Sequence, residues 1–202
     1  DKVTDYKAEL PNISGYYNYT QFTPFEGRPL HSVFSLRWGG LDNQNGDPIG
    51  FLAGNESKDF VSIISSPHLE DLIYNGPANP TFFGSLRNNF SWKQLGLSFN
   101  LVWKAGYFFR RSSIDYYATI AGTDKGHPDY NLRWQKPGDE LTTTVPSLDP
   151  LASEYRDEFY KYSEVLVEKG DHIRLQDVEL SYDFSRQQFK KLPFHLIHLY
   201  AY

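Results

Sequence analysis

The chain has 202 residues, of which 40% are hydrophobic, 22% charged and 17% aromatic, and this length suits one large domain or a piece of a longer protein. Its mean hydropathy is −0.55, and it contains no run of about 18 apolar residues, so the sequence predicts no transmembrane helix. A net charge of −5 without a long basic run excludes a nucleic-acid-binding surface, and the absence of cysteine excludes disulfides and thiolate metal sites.

The first part of the chain predicts one short strand. Residues 1–29 show no periodicity that assigns them, although Tyr16, Tyr17 and Tyr19 are compatible with a strand edge. Apolar and aromatic residues then occupy every second position from Phe34 to Trp38, which predicts a strand within residues 30–39.

Two longer runs with period two follow. Apolar residues occupy the even positions of residues 82–92 and the odd positions of residues 95–110. Because only Lys93-Gln94 separates the runs, they predict an antiparallel hairpin. The second run, about 16 residues long, exceeds the usual strand of about 5–6 residues and suits a membrane-spanning strand. Alternation alone does not decide between a barrel wall and a soluble β-sandwich with its apolar side inward.

Two more strands are predicted near the end of the chain. Residues 171–184 alternate, but the apolar phase slips near Gln176-Asp177, which indicates a bulge or a change of environment along the strand. Residues 194–202 form a final apolar and aromatic strand. One helix is predicted over Ser153–Lys169, with Ser153 as its cap and Gly170 as its stop.

The connections between these strands are unequal in length. The strands at 82–92 and 95–110, and those at 171–184 and 194–202, are joined by short polar pieces, whereas the connections at about 40–80 and 111–170 are long. Short turns at one end and long loops at the other are typical of outer-membrane barrels. We therefore predict an all-β fold, an antiparallel transmembrane β-barrel segment with long extracellular loops and one short helix.

Four motifs, in this order, resemble one known family. They are Gly40-Leu41-Asp42 with Asn45-Gly46-Asp47-Pro48; Asn75-Gly76-Pro77-Ala78-Asn79-Pro80 leading to Gly84; Arg133-Trp134-Gln135-Lys136-Pro137-Gly138-Asp139 with Val145-Pro146; and Gly170-Asp171-His172-Ile173-Arg174-Leu175-Gln176-Asp177-Val178-Glu179-Leu180-Ser181-Tyr182. This order and spacing resemble the SusC/RagA-like TonB-dependent transporters of Bacteroidota outer membranes, from about residue 27 to the end.

The resemblance implies the parent protein's architecture and partners. It implies a large outer-membrane barrel with a plug domain, a TonB-contacting segment and a SusD-like surface lipoprotein as a lid. Such a complex imports oligosaccharides or peptides without an enzymatic cofactor. We expect residues 1–202 to be a fragment of this barrel domain, without the plug and the closing strands, in the outer membrane of a Gram-negative bacterium.

Six residues are candidates for substrate binding. Tyr130, Arg133 and Trp134 lie in the predicted extracellular loop, where aromatic faces and charged groups suit a sugar- or peptide-binding surface. Packing of the loop by Arg133-Trp134 is the favoured alternative for that pair. Arg87, Lys104 and Arg110 are predicted to face the lumen, where they line the substrate route or contact the plug.

Catalysis and metal binding are not expected. The six histidines are scattered, and the closest pair, His195 and His198, would point to opposite faces of a strand. The acidic group Glu154, Asp157, Glu158 and Glu164 fits a solvated helix face better than a pair of catalytic carboxylates. A secreted soluble β-sandwich that binds carbohydrate remains the alternative to a transporter.

Overall fold

The chain folds into two compact units. The computed structural model describes residues 2–6, 12–18, 24–151, 153–185, 190–191, 193–194 and 196–201. Asp1–Asn79 and Tyr107–Lys169 form one unit, here called the loop unit, and Pro80–Gly106 and Gly170–Tyr202 form the other, called the sheet unit. Each unit is therefore built from two separate stretches of the chain.

Antiparallel strands occur in both units, short ones in the loop unit and longer ones in the sheet unit. The strands are β1 (Ser32–Leu36), β2 (Gly50–Leu52), β3 (Asn55–Ser57), β4 (Leu72–Pro77), β5 (Phe82–Trp92), β6 (Leu95–Ala105), β7 (Phe108–Arg110), β8 (Val167–Lys169), β9 (His172–Ser185) and β10 (Leu196–Ala201). The α-helices are α1 (Ser14–Tyr17), α2 (Phe60–Ile64), α3 (Tyr116–Ile120) and α4 (Glu154–Tyr162). Single 3-10 turns occur at Leu69–Asp71, Pro128–Leu132, Asp139–Leu141 and Glu164–Leu166. Among the described residues, no helix has the length and apolar character needed to cross a membrane.

The loop unit has an ordinary buried core in two clusters. The first contains Ile13, Tyr17, Phe34, Leu36, Ile63, Ile64 and Phe159, and the second contains Ile114, Tyr116, Val145, Tyr160 and Leu166. Successive residues of α4, Phe159 and Tyr160, enter different clusters, and Trp38 packs against both rings, with ring-centre distances of 6.1 and 5.9 Å. Because Phe159 and Tyr160 lie in different clusters, α4 joins the two. Burial of each large apolar side chain stabilises the folded state by about 1.5–3 kcal/mol.

The long connections are folded, not structureless. Residues 40–80 contain β2, β3, α2 and β4, and residues 111–170 contain α3, α4 and β8. The strand predicted within residues 30–39 exists as β1, but it pairs with β4 inside the loop unit. Four of the five residues of β1 are buried, so β1 is a core strand and not the two-faced wall strand that its alternation suggested.

The predicted helix is shorter than its periodicity indicated. The helix expected over Ser153–Lys169 ends at Tyr162, and Ser153 occupies the N-cap position without a side-chain capping hydrogen bond. Ser163 has extended backbone geometry, and its buried hydroxyl donates to the Tyr160 carbonyl at 2.7 Å. α1 replaces the strand edge suggested by Tyr16 and Tyr17, whereas Tyr19 lies outside the described residues.

The sheet unit is a single antiparallel sheet with the strand order β10-β9-β6-β5. The hairpin predicted around Lys93-Gln94 is confirmed, with β5 and β6 paired from Phe82↔Ala105 to Trp92↔Leu95. We call the end of the sheet at this turn the turn end. The opposite end of the sheet, where Phe82, Ala105 and His172 lie, is called the connection end. The predicted run 95–110 is interrupted, because Gly106 adopts a φ of +72° and residues 108–110 form β7 in the loop unit.

A bulge in β9 explains the phase slip in the sequence. Asn100 pairs with Gln176 and Ser98 pairs with Glu179, so two residues of β9 lie opposite Phe99 alone. Asp177 has a φ of +53°, a conformation that Asp and Asn tolerate better than most residues because their short polar side chains bond locally. The bulge brings Leu175 opposite Leu101 and Leu180 opposite Leu97, so apolar residues before and after Asp177 share one face.

The two faces of the sheet differ in chemistry. One face, here called the apolar face, carries Phe82, Leu86, Phe90, Trp92, Leu95, Leu97, Phe99, Leu101, Trp103, Ile173, Leu175, Val178, Leu180, Tyr182 and Leu199. The other, called the polar face, carries Ser85, Arg87, Asn89, Ser98, Asn100, Lys104, His172, Arg174, Gln176, Glu179 and Asp183. No described side chain in these four strands is buried, and Phe82, Trp92 and Ile173 are 66%, 69% and 76% exposed. The described part of this unit therefore has no core on either side.

The bulge leads to a test of how the sheet keeps its register. Deletion of Asp177 would shift residues 172–176 by one position, moving Arg174 to the apolar face and Ile173 to the polar face. We expect the deletion to prevent folding of this strand in the intact protein, measured as loss of hydrogen-exchange protection at residues 172–176. Asp177→Asn, which keeps the left-handed preference, is the matched control and should retain protection; equal protection in both variants would contradict this role for the bulge.

Candidate binding site

Arg156 ties two segments of the loop unit to α4. Its side chain is buried, and its Nε donates to Asp47 Oδ1 at 2.9 Å. Its Nη2 donates to the carbonyl and hydroxyl oxygens of Ser147 at 2.9 and 3.1 Å. Since charge-assisted hydrogen bonds of this kind are stronger than neutral ones, Arg156 fixes the Asp47 and Ser147 segments relative to each other.

Asp157, the next residue of α4, anchors α3. Its Oδ2 accepts a hydrogen bond from the backbone N–H of Tyr117 at 2.6 Å. Burial raises the pKa of Asp157 to about 6, because the ionised carboxylate loses its hydration. Arg156 compensates for this only weakly, since its Nη1 is 3.8 Å from Asp157 Oδ1, whereas its Nε pairs more closely with Asp47.

A lysine stabilises the loop that contains Asp47. Lys58 Nζ lies 2.5 Å from Asp42 Oδ2 and 3.8 Å from Asp47 Oδ2, and it also reaches Asn45 Oδ1 at 3.4 Å. The hydrogen bond from Lys58 lowers the pKa of Asp42. The Gly-Leu-Asp motif and the Asn-Gly-Asp-Pro motif are therefore the two sides of one turn. The Lys58 ammonium group links these two sides.

Trp134 is packed into this turn. Only 7% of Trp134 is exposed, its backbone N–H donates to the Val145 carbonyl at 2.9 Å, and its Nε1 donates to Glu140 Oε2 at 3.1 Å. A Cβ at Gly46, where φ is +70°, would collide with the indole ring. These contacts agree with the packing interpretation of Trp134, whereas a direct role in binding stays a prediction.

Tyr130 and Arg133 form an accessible stacked pair. The Arg133 guanidinium lies 4.0 Å from the centre of the Tyr130 ring, and its Nη1 donates to the Tyr130 carbonyl at 2.9 Å. Tyr130 is 39% exposed and meets Tyr116 edge-on at a ring-centre distance of 6.5 Å. The Arg133 guanidinium therefore covers one face of the Tyr130 ring, and the rest of the phenol remains at the surface.

Two clefts flank this pair. A mainly apolar cleft of about 670 Å³ is lined by Ile114, Tyr116, Thr119, Ile120, Lys125, Gly126, His127, Pro128, Tyr130, Asn131 and Leu148. A polar cleft of about 500 Å³ is lined by Asn45, Asp47, Arg133, Trp134, Gln135, Ser147, Leu148 and Asp149. The first offers ring faces and aliphatic side chains, and the second offers amide and carboxylate groups, a combination that suits small solutes with apolar and hydrogen-bonding parts.

Most residues that line the clefts were not predicted from the sequence. Tyr130, Arg133 and Trp134 are predicted binding residues, but Tyr116, Asn45 and Leu148 come from other segments of the chain. Asn45 belongs to the first motif without a predicted binding role. No local pattern marks Tyr116 or Leu148, because tertiary contacts bring these segments together. Asp157, which the sequence assigns to a solvated helix face, is instead buried beside Arg156.

Arg110 does not lie in the sheet unit. Its Nη1 donates to the Tyr17 carbonyl at 3.2 Å and its Nη2 to the Phe34 carbonyl at 2.5 Å, and its guanidinium lies 5.0 Å from the centre of the Tyr162 ring. The prediction that the strand 95–110 carries Arg110 on the same wall as Lys104 is therefore wrong. The reason is the turn at Gly106, after which the chain enters the loop unit. Arg110 also lines a third cleft of about 390 Å³, with Asp115, Asp124 and Lys161.

Arg87 and Lys104 do share the polar face of the sheet unit. Phe83 pairs with Lys104 and Arg87 with Asn100, so both cations alternate with the apolar residues as predicted. Both side chains are exposed. A role for them in substrate binding stays a prediction.

The acidic residues near α4 have separate partners. Asp157 bonds to Tyr117, and Glu164 Oε1 accepts the Trp38 backbone N–H at 3.1 Å. Burial raises the pKa of Glu158. Within the part of the chain that the structure describes, no three His, Asp or Glu residues converge as a metal site; His195 lies outside that part.

The buried carboxylate of Asp157 predicts a local dependence on pH. Its folded pKa of about 6 exceeds its ordinary value of 3.8, so the folded state binds the proton more tightly and loses stability as pH rises from about 4 to 6. The loss amounts to about 3 kcal/mol at most, at 1.36 kcal/mol per pKa unit. We expect amides of α3 in the intact protein to exchange faster at pH 7 than at pH 4.5, after correction for intrinsic exchange. Asp157→Asn keeps an acceptor for Tyr117 N–H and should remove most of this difference; an unchanged difference would contradict the assignment.

Comparisons with known proteins identify the fold. No protein-family model matches the chain, and no curated protein matches it. Fourteen chains of solved structures do, among them the following two. The structure of the RagAB peptide transporter aligns with 84% of this chain at a TM-score of 0.51 and 17% identity. The structure of the RagAB peptide importer in the "closed-closed" state aligns with 84% at a TM-score of 0.52 and 18% identity.

These alignments cover only part of the solved proteins. This chain spans 18% of the length of each matched chain. At this level of identity the similarity concerns the fold alone, which consists mostly of antiparallel strands with few helices.

Proposed function

We propose that this chain is part of the wall and extracellular loops of a TonB-dependent outer-membrane transporter. The transporter would import oligosaccharides or peptides together with a SusD-like surface lipoprotein, in a Gram-negative bacterium of the Bacteroidota type. Contact with TonB would belong to other parts of the protein. The proposal is supported by the sheet unit, by the order of the four motifs and by the fold shared with the RagAB structures.

The observation that carries the proposal is the exposed two-faced sheet. Soluble proteins rarely expose apolar patches of more than a few hundred Å², yet the apolar face leaves Phe82, Trp92 and Ile173 more than half exposed. A lipid bilayer on this side and a wet lumen on the other would account for both faces.

The dimensions and the aromatic residues support the same setting. β5 and β6 have 11 residues each, so the distance from Phe82 to Trp92 is about 34 Å along the strand, or about 26 Å along the normal at a tilt of about 40°. Trp92 and Tyr182 lie near the turn end and Phe82 and Trp103 near the connection end, with leucines, Phe90 and Phe99 between them. Aromatic bands about 25 Å apart are typical of membrane barrels.

The sandwich alternative requires a cover for the apolar face. In a β-sandwich, the inner face of each sheet packs on a second sheet about 10 Å away and becomes buried. No described residue on the apolar face is buried. The observation therefore favours the membrane wall over a soluble carbohydrate-binding module.

In this proposal the loop unit takes part in substrate capture. The apolar and polar clefts beside Tyr130 and Arg133 offer ring faces and hydrogen-bonding groups, which suit either a sugar or a peptide. The role is binding and transport, without catalysis. Tyr130, Arg133, Arg87 and Lys104 are the residues that we expect to contact substrate, while Trp134 and Arg110 hold the loop unit together.

Cysteine scanning of β6 tests the wall. The chain has no native cysteine, so single cysteines report their own surroundings once any cysteines elsewhere in the intact protein are replaced. In native membranes we expect Ser98→Cys and Val102→Cys to react with a water-soluble thiol reagent, and Leu97→Cys and Leu101→Cys to react only with a lipid-soluble maleimide. A protein that fractionates without detergent, or that shows no alternation, would exclude the transporter.

Surface labelling tests the direction of the strands. If the long connections are extracellular, a tag inserted near Asp124 should be labelled on intact cells, whereas a tag near Gln94 should be labelled only after permeabilisation. Gln188 lies in the other short connection, outside the described residues, and should behave like Gln94. Labelling in the reverse pattern would invert the proposed orientation.

A further inference from the structure

Charges are segregated along the polar face of the sheet unit. Lys104 pairs across the strands with His172, and Val102 pairs with Arg174; Arg87 pairs with Asn100, two positions further along β6. Lys104 and Arg174 therefore lie next to the connection end, and Arg87 lies midway along the face. The acids Glu179 and Asp183 lie in the half next to the turn end, opposite Ser98 and His198 respectively.

The cations are close enough to act together. Residues directly opposite in an antiparallel pair have Cβ atoms about 5 Å apart, and diagonal neighbours about 7–8 Å. Lys104 and Arg174 are diagonal neighbours by this register, and Arg87 lies on β5, level with Asn100 and two strands from Arg174. By strand spacing and rise the three positions lie within about 15 Å of one another, so one elongated anion can contact all of them.

Among the described residues, no acid neutralises this cluster: no carboxylate there forms an ion pair with Arg87, Lys104 or Arg174. Arg174 Nη2 instead donates to the neutral Gln176 Oε1 at 3.0 Å. Asp171, the nearest acid in sequence, accepts the Gly106 backbone N–H at 2.7 Å. By contrast, Asp183 has a direct partner in His198.

Clustering of these cations lowers the stability of the sheet, and a bound anion would offset this cost. Like charges on neighbouring positions of one sheet face are destabilising, whereas opposite charges stabilise. The same face holds acids that would neutralise the cations if they were placed in the same rows. Segregation of the charges instead produces a positive potential over one half of the face, which attracts and orients anions.

We infer that Arg87, Lys104 and Arg174 form a binding strip for carboxylate groups of the transported substrate. This inference rests on the proposed function, in which the polar face lines the lumen. The strip narrows the substrate to anionic solutes, either acidic peptides or oligosaccharides with uronic acids, which present the same carboxylate chemistry. Guanidinium and ammonium groups both bind carboxylates by charge-assisted hydrogen bonds.

The local potential provides the first test. Val102→Cys lies opposite Arg174 and next to Lys104 on the same face, whereas Ser98→Cys lies opposite Glu179. Arg87 is equally near both positions, so the difference between them reports Lys104 and Arg174 against Glu179. In the intact protein in membranes, the ratio of reaction rates with an anionic and a cationic methanethiosulfonate should be about fivefold higher at 102 than at 98. Arg87→Gln, Lys104→Gln and Arg174→Gln together should abolish this difference. Lys93→Gln, which removes a cation at the turn, should leave it unchanged.

Ligand protection provides the second test. Hexaglutamate and trigalacturonate are each tested for slowing the labelling of Val102→Cys, with hexaglutamine as the uncharged control. Protection by hexaglutamate identifies an acidic peptide and protection by trigalacturonate an acidic sugar, and either should be lost in the triple variant and weakened by high salt.

The outcomes separate this inference from the proposed function. In one outcome, cysteines at positions 101 and 102 alternate in accessibility while those at 102 and 98 show the same preference between the anionic and the cationic reagent. That result would support the membrane wall and contradict the carboxylate strip. Protection by neither anion, or an unreactive cysteine at 102 because the plug covers it, would also overturn the strip. Loss of the alternation itself would overturn the proposed function.

Discussion

The register of the sheet unit depends on one extra residue in β9. Side chains of a strand alternate strictly, so a shift of one position exchanges the two faces. In β9 the apolar residues change phase between Leu175 and Val178, and the bulge opposite Phe99 corrects this change. Without it, half of β9 would present Arg174 beside Leu101 and Trp103. The match between the faces of β9 and those of β6, including the place of Arg174 on the polar face, follows from the bulge at Asp177, whose backbone is left-handed.

The two units obtain their stability from different sources. The loop unit buries Tyr17, Phe159 and Tyr160 almost completely, and its segments are fixed by Arg156 and Asp157. The strands of the sheet unit bury none of their described side chains, so backbone pairing and exposed cross-strand contacts, such as Phe90 with Phe99 and Asp183 with His198, hold them together within the chain. In water such a sheet would lose most of the hydrophobic contribution that stabilises ordinary domains. The proposed bilayer changes this balance, because lipid removes the apolar face from water without a protein core.

The sequence predicted the sheet unit better than the loop unit, for a physical reason. Strand alternation is a local signal, and it placed β5 at its observed bounds and indicated the bulge near Asp177. The same signal failed at Gly106, because alternation continues through Phe108 to Arg110 although the chain has already left the sheet. The clefts beside Tyr130 were only partly predictable, since Asn45, Tyr116 and Leu148 meet through tertiary contacts. Trp134 was ambiguous in sequence because ring stacking on a ligand and packing over Gly46 require the same residue type.

The open edges of the sheet place a further demand on the proposed setting. β5 and β10 are the outer strands of the four-stranded order, so their outward N–H and C=O groups have no partners within this sheet. In hydrocarbon each unsatisfied backbone group costs several kcal/mol, which exceeds what side-chain contacts with lipid return per residue. A membrane wall is therefore possible only if further strands pair with both edges and close the sheet on itself. The same closure would turn the polar face inward on every strand, so the cations of β5, β6 and β9 would line a common lumen instead of a flat surface.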